Sequence, residues 1–476
     1  VIGVNSSTIA LAEAFIQDPN SPYKLLFFVD KNKLLHGKKI LGVTIISKFS
    51  SISTVLRFHK VKNVVLLKNF LEETEEAQLI ENCLKNKIQV FYPRLESGTK
   101  EASVPLKKYT LNDLLFRNLI EINNPKVKGE FEGKVVLVTG GAGSIGSEIV
   151  NQVMQLQPQK VVVLDQAESP MHELELLIKA TFPEIQCVFE LADVRNTDEV
   201  QIVFEKHNPH IVFHAAAYKH VPLLERNFYQ AIKINVFGTK NVLDVALTHQ
   251  VERFVFVSTD KAVNPTNIMG ASKRIAEILV QSTYYNQKEN KNKPNTEIIV
   301  TRFGNVLGSN GSVVNLFERQ IKEGGPLTVT HPEINRFFMT IPEACRLVLE
   351  AATMGRGGEI YLFDMGKPIK IVDLAEKMIR LNGKEPYKDI DIVFTGLREG
   401  EKLYEELLAD KAKTVPTYNP KIMIAMDQTY HYTEVENFLK EVYLCQKMNN
   451  KQEFITVLKK LVPEFIDETQ DEKNYQ

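Results

Sequence analysis

Short apolar runs alternate with longer amphipathic stretches along most of the chain, the pattern of strands buried on both faces between helices. Residues 25–29, 63–67 and 89–92 are three such runs, and with the helical stretches between them they predict a small parallel sheet in the first part of the molecule. Residues 134–139 open a second series. Its further strands are expected at 161–165, at the runs ending in Val194 and Ala217, at 253–257 and at 297–301. A short helical pattern at 111–122 and the polar stretch 123–129 separate the two series. The expected organisation is an α/β domain over residues 1–105, a linker with a short helix over 106–133, and a larger α/β domain over 134–476. In the larger domain, residues 134–300 form the nucleotide part and 301–425 a smaller substrate region that includes a helix at 371–381. The polar residues 467–476 are expected to fray.

The two series begin differently. The first has the turn Gly3-Val4-Asn5-Ser6-Ser7-Thr8, with one glycine, which supports a pyrophosphate poorly and reads as a degenerate nucleotide-binding fold. In the second, the strand runs into Gly140-Gly141-Ala142-Gly143-Ser144-Ile145-Gly146 and then a helical pattern. Glycines at 140, 143 and 146 permit a tight turn, close approach of backbone to pyrophosphate and packing of helix on strand. Asp165 ends the next strand, where a carboxylate binds ribose hydroxyls and would repel a 2′-phosphate, so the expected cofactor is NAD. Asp193 and Val194, then Ala215, Ala216 and Ala217, end the following strands and are expected along the same crevice, with Asp193 at the adenine amine.

Composition adds exclusions. The chain has 476 residues, 44% hydrophobic and 25% charged, with a formal net charge of -1. That charge offers no field for nucleic acid, so an anionic ligand must be held by local groups. Cys83, Cys187, Cys345 and Cys445 lack paired spacing, so neither a metal site nor a disulfide framework is expected, and a reducing compartment fits. No apolar run is long enough to span a bilayer and no signal peptide is present, which predicts a soluble chain. A strand beginning at Val1 without a methionine suggests that native sequence precedes it.

The chemistry centres on Thr259-Asp260-Lys261 at a strand end and on Met269 further along. A thioether carries no exchangeable proton, so Met269 cannot act as acid or base, whereas Asp260 and Lys261 can. Lys273 follows Met269 by four residues, on one helix face.

These motifs carry a resemblance. Thr139 to Gly146, Ala215-Ala216-Ala217-Tyr218-Lys219-His220-Val221-Pro222, Asn235-Val236-Phe237-Gly238-Thr239, Thr259 to Asn267 and Gly396-Leu397-Arg398-Glu399-Gly400-Glu401-Lys402 resemble the extended short-chain dehydrogenase/reductase superfamily. Within it they are most similar to the large UDP-N-acetylglucosamine 4,6-dehydratases of bacterial surface-glycan biosynthesis. The resemblance covers about residues 130–425 and implies an NAD-binding Rossmann fold with a smaller substrate-binding region. It implies UDP-N-acetylglucosamine as substrate, with NAD retained through a redox-neutral cycle. Gly140, Gly143, Ser144, Ile145, Gly146, Asp165, Asp193, Val194, Ala215, Ala216, Ala217, Asn235 and Lys273 would line the cofactor, with Lys273 on the nicotinamide ribose. Lys261, made partly neutral by desolvation, would take the proton from sugar carbon 5, and Asp260, held protonated, would donate to the hydroxyl leaving carbon 6. The carbon 4 hydroxyl proton would go to Thr259, Asp260 or a water. Asn305, Arg336, Arg398 and Glu401 are expected at the nucleotide sugar, with Lys219 and His220 as weaker contacts. A methionine at 269 is similar to members that retain configuration at carbon 5. The resemblance further implies a homodimer built on helices beginning near Asn227 and Met269, and membrane helices upstream that would hold the protein at the cytoplasmic face of the inner membrane. Two other readings stay open: a catalytically silent nucleotide-sugar binding protein, and a UDP-sugar 4-epimerase, which would depend on a tyrosine where Met269 stands.

Overall fold

The computed structural model describes residues 1–19, 21–47, 49–67, 70–93, 106–110, 113, 124–290, 296–405, 414–448 and 450–466. The expected helix at 111–122 and the terminal residues 467–476 lie outside the described residues, apart from Asp113. The chain divides into two compact units. The first is Val1–Asn118 with Phe317–Thr328 and Val372–Val393; the second is Leu119–Leu316, Val329–Ile371 and Phe394–Gln476.

In the first unit, Ile2 bridges in parallel to Val29 on one side and Leu66 on the other. It thereby joins the strand Phe28–Val29, paired with Val43–Ile46, to Asn63–Val65, paired with Gln89–Pro93. Ile2, Val29, Leu66, Leu79, Ile80 and Val90 form its core. The helix Ile371–Leu381, assigned from sequence to the substrate region, falls largely in this unit, where Leu381 packs on that core.

The second unit is a doubly wound α/β fold. Its strands are β1 (Val135–Thr139), β2 (Lys160–Asp165), β3 (Gln186–Leu191), β4 (Ile211–His214), β5 (Arg253–Thr259), β6 (Glu297–Phe303), β7 (Ile360–Phe363), β8 (Thr414–Pro416) and β9 (Ile422–Ala425). They pair in the order β3-β2-β1-β4-β5-β6-β7-β9-β8, parallel from β3 to β7 and antiparallel beyond. Every residue of β1 is buried, as an apolar run covered on both faces requires. The strand order reverses between β1 and β4, which opens a crevice at their carboxyl ends, the place where such sheets bind ligands.

The helices α1 (Ser144–Met154) and α2 (Ile268–Glu289) follow β1 and β5. Asn267 caps α2, its Oδ1 accepting from Gly270 N at 2.8 Å. Of the 22 residues of α2, 18 are buried. Much of that cover comes from two helices near the carboxyl end, α3 (Tyr432–Met448) and α4 (Lys451–Leu461): Val435, Phe438, Leu439, Phe454 and Leu458 share an apolar cluster with Ile268, Met269, Ile275 and Leu279. Part of the α2 surface that the resemblance assigned to a second subunit is thus covered from within the chain. Beneath, Arg302 of β6 grips Glu277 of α2 through two parallel bonds, Nε to Oε1 at 2.7 Å and Nη2 to Oε2 at 2.6 Å, a forked geometry that fixes helix against strand. Among the described residues, no helix is long and apolar enough to cross a membrane.

Candidate active site

The glycine turn between β1 and α1 is built by backbone proximity. Gly140 adopts φ +65°, and a side chain there would meet Ala216 Cα at 2.6 Å; one at Gly146 would lie 2.1 Å from Gly140 O. Gly143 occupies the N-cap of α1 without a side-chain bond, so the first turn, Ser144, Ile145 and Gly146, has no side-chain cap at the positive helix end. Asp165 holds the turn from β2, accepting from Ala142 N at 3.0 Å (Oδ2) and from Ala167 N at 3.0 Å (Oδ1). These features fit a dinucleotide: room for a pyrophosphate at an uncapped helix end, with a carboxylate at the second strand end.

The surrounding expected residues gather there with different partners. Ala215 N donates to Thr139 O at 3.1 Å, placing Ala215, Ala216 and Ala217 against the turn. Asp193 is paired with Arg195, whose Nε lies 2.8 Å from Oδ2, and this guanidinium holds its pKa low against the opposing effect of burial. Val194 is buried and packs at Gly238. Asn235 lies in a stretch of π-helix, Ile232–Gly238; it accepts from Tyr218 N at 2.8 Å and donates to Ser272 Oγ of α2 at 2.9 Å. Lys273 is buried, with Nζ donating to Val257 O at 2.7 Å and lying 3.9 Å from the centre of the Phe256 ring. Burial brings its pKa down to about 7. Met269 packs in the helical cluster with Leu224, Phe228 and Ile275 and is 3% exposed, a residue of the core.

At the carboxyl end of β5, Thr259 Oγ1 donates to Asp260 Oδ1 at 2.8 Å and Lys261 Nζ to the same oxygen at 3.0 Å. Lys261 also donates to Asn305 Oδ1 at 3.1 Å and to Glu405 Oε1 at 2.8 Å. Glu405 accepts further from Asn305 Nδ2 at 3.0 Å and pairs with Arg336 Nε at 3.2 Å. Arg336 is also 3.5 Å from Glu401, while Glu401 accepts from Arg398 N at 3.2 Å. Arg398 itself is exposed, and so are Lys219 and His220; Lys219 Nζ donates to Ser309 Oγ at 3.2 Å. Partial loss of surrounding water, with a neighbouring lysine adding to it in each case, lowers the pKa of both Lys219 and His220.

The surroundings of these groups favour other protonation states than those expected from sequence. Burial pulls the Lys261 pKa down, but the carboxylates of Asp260 and Glu405 outweigh it and raise the value, so Lys261 is an ammonium. Asp260, buried but facing Lys261, is held below the usual carboxylate range. The carboxyl that rises is Glu405, pushed up to about 7 by burial and by the Asp260 charge.

Glu405 was not among the sequence-derived residues. It reaches the site because the Gly396 to Lys402 loop docks on the segment after Lys261: Asn267 Nδ2 donates to Gly400 O at 3.0 Å, and Lys402 Nζ donates to Asn264 O at 2.8 Å. Gly400 takes φ +72°, and a side chain there would meet Asn267 Cβ at 2.8 Å. The only linear signal was a pair of acids, Glu405 and Glu406, just past the loop, with nothing to say which turns inward.

The polysaccharide biosynthesis protein family matches residues 136–427. The capsular polysaccharide biosynthesis protein CapD of Staphylococcus aureus is 40% identical over 448 residues, covering 93% of this chain and 74% of that protein. A UDP-glucose 4-epimerase of Rickettsia rickettsii is 33% identical over 287 residues, 59% of this chain and 79% of the epimerase. Among solved structures, Pen from Bacillus thuringiensis aligns with a TM-score of 0.56 at 35% identity, over 63% of this chain and 90% of that one.

Proposed function

The chain belongs to the polysaccharide biosynthesis protein family, and from that premise we propose that it is a nucleotide-sugar 4,6-dehydratase acting on UDP-N-acetylglucosamine with NAD. The observation that carries the reading is the placement of Asp260, Lys261, Asn305 and Arg336 together at the carboxyl ends of the central strands, with an inert thioether at Met269. Bound at the glycine turn, NAD would supply the hydride acceptor for sugar carbon 4 and the hydride source for carbon 6. Asp165 would hold its adenosine ribose and Lys273 its nicotinamide ribose. Arg336 and Arg398 offer guanidinium forks to the diphosphate, and Asn305 a hydrogen bond to the sugar. Once carbon 4 is a ketone the carbon 5 proton is acidic, and Lys261 removes it as the carbon 6 hydroxyl departs. The same lysine returns a proton to the same face, which retains configuration at carbon 5.

The 33% identity to a UDP-glucose 4-epimerase favours a second reading, 4-epimerisation. Met269 weighs against it, because no phenol stands there to exchange the carbon 4 hydroxyl proton.

Incubation of the chain with UDP-N-acetylglucosamine, followed by mass spectrometry with and without added NAD, separates the readings. A product lighter by one water without net NADH is expected. An unchanged mass with an inverted carbon 4 would replace dehydration by epimerisation, and an unchanged sugar would leave binding alone.

A further inference from the structure

Lys261 meets two carboxyl groups at once, Asp260 Oδ1 at 3.0 Å and Glu405 Oε1 at 2.8 Å, with Asn305 as a third acceptor. Glu405 is 5% exposed at its side chain and arrives from a loop 144 residues away in sequence. Around it stand Lys261 and Asp260 from the end of β5, Asn305 from the segment after β6, and Arg336, which Glu401 shares. The second oxygen of Asp260, Oδ2, is buried and meets no N–H or hydroxyl donor among the described residues. The Asp260 and Glu405 carboxyl groups share one donor, Lys261 Nζ. Two carboxyls and one ammonium this close cannot titrate independently.

Resting on the dehydratase reading above, we propose that Glu405 is the proton partner of Lys261, taking a proton from its ammonium and delivering it to the hydroxyl that leaves carbon 6. An ammonium cannot act as a base, so a dehydratase with Lys261 in this state needs a nearby acceptor; Glu405 is bonded directly to it. First an Nζ–H bond breaks and a Glu405 O–H bond forms. The freed amine pair takes the carbon 5 proton, the C–H electrons become the carbon 5–carbon 6 double bond, and the carbon 6–oxygen bond breaks. The departing hydroxide takes the Glu405 proton and leaves as water. Lys261 is again an ammonium and Glu405 a carboxylate. Returning the proton to carbon 5 makes Lys261 neutral, and the proton released earlier from the carbon 4 hydroxyl restores it. The raised pKa of Glu405 and its burial agree with a carboxyl that changes state within this cycle.

The test uses the full chain with Glu405→Gln and Glu405→Asp, assayed with UDP-N-acetylglucosamine and NAD across pH, together with carbon-13 NMR of glutamate-labelled protein without substrate. Glutamine is expected to lower kcat by about 10²-fold or more with KM little changed, and aspartate to recover part of the rate. The carboxyl signal missing from the glutamine variant should titrate near neutrality. A glutamine variant that keeps most of its kcat, or a loss confined to KM that aspartate does not relieve, overturns the proposal. So does a Glu405 signal that titrates only below about pH 5, the ordinary carboxylate range, and this readout needs no turnover. If the wild-type chain yields no lighter product, the dehydratase reading falls first, independently of the variants.

Discussion

The two units of this chain each carry a strand, a tight turn and a helix, and the two turns are held alike. In the first, Gly3 takes φ +93° and Asp30, at the end of the next strand, accepts from Val4 N at 2.8 Å and from Asn32 N at 2.8 Å. In the second, Gly140 takes φ +65° and Asp165 accepts from Ala142 N and Ala167 N at 3.0 Å each. They part at the helix end. Asn5 caps the helix Ser6–Gln17 with its own side chain, Oδ1 accepting from Thr8 N at 2.9 Å, and the Phe70 ring stands where a side chain on Gly3 would project. Gly143 offers α1 no such bond. The same backbone scaffold thus ends once in a satisfied helix and once in donors left for an anion, and two or three side chains decide which.

Substitutions can break that contrast. The largest effect is expected from Gly146→Ala: its new carbon would meet Gly140 O, a backbone atom with nowhere to go, at 2.1 Å, so the strain of about 1–3 kcal/mol should be accompanied by loss of NAD binding measured by calorimetry. Next comes a matched pair. Asp165→Asn should weaken NAD roughly tenfold, about 1.4 kcal/mol, while Asp30→Asn changes only the stability of the first unit; an equal effect of both on NAD would erase the distinction drawn here. Lys273 sharpens the contrast through pH. Its folded pKa, about 7, lies below the value near 10.4 of an unfolded lysine, so between these the unfolded chain holds the extra proton and stability rises with pH. Lys273→Met should flatten that slope and raise the melting temperature at neutral pH while impairing turnover. The smallest change is Asn5→Ala, about 1 kcal/mol of stability by denaturant titration, with NAD affinity untouched.

Much of this was legible along the chain where the determinants are local. Gly140, Gly143 and Gly146 lie within one turn, and Asp165 follows at the spacing of a single βαβ unit, so strand, phosphate turn and ribose carboxylate could be read together. Protonation was not legible. Whether Lys261 is an amine or an ammonium depends on Asp260 beside it and on Glu405, which is brought in by a glycine loop that docks on Asn267 and Asn264. Nor did the sequence announce that α3 and α4 would cover α2: their apolar positions mark them as amphipathic without naming the surface they meet.

That cover has a consequence for how the site survives dilution. Phe454 stacks on Phe228 with ring centres 5.2 Å apart, Leu439 and Leu458 close over α2, and α2 carries Lys273 and receives the bond from Asn235. An interface supplied by a second molecule would loosen as concentration falls, following mass action. Here the partner surface is tethered to the helix it protects, so its effective concentration is set by chain connectivity, and the lysine beneath it keeps its packing however few copies of the protein are present.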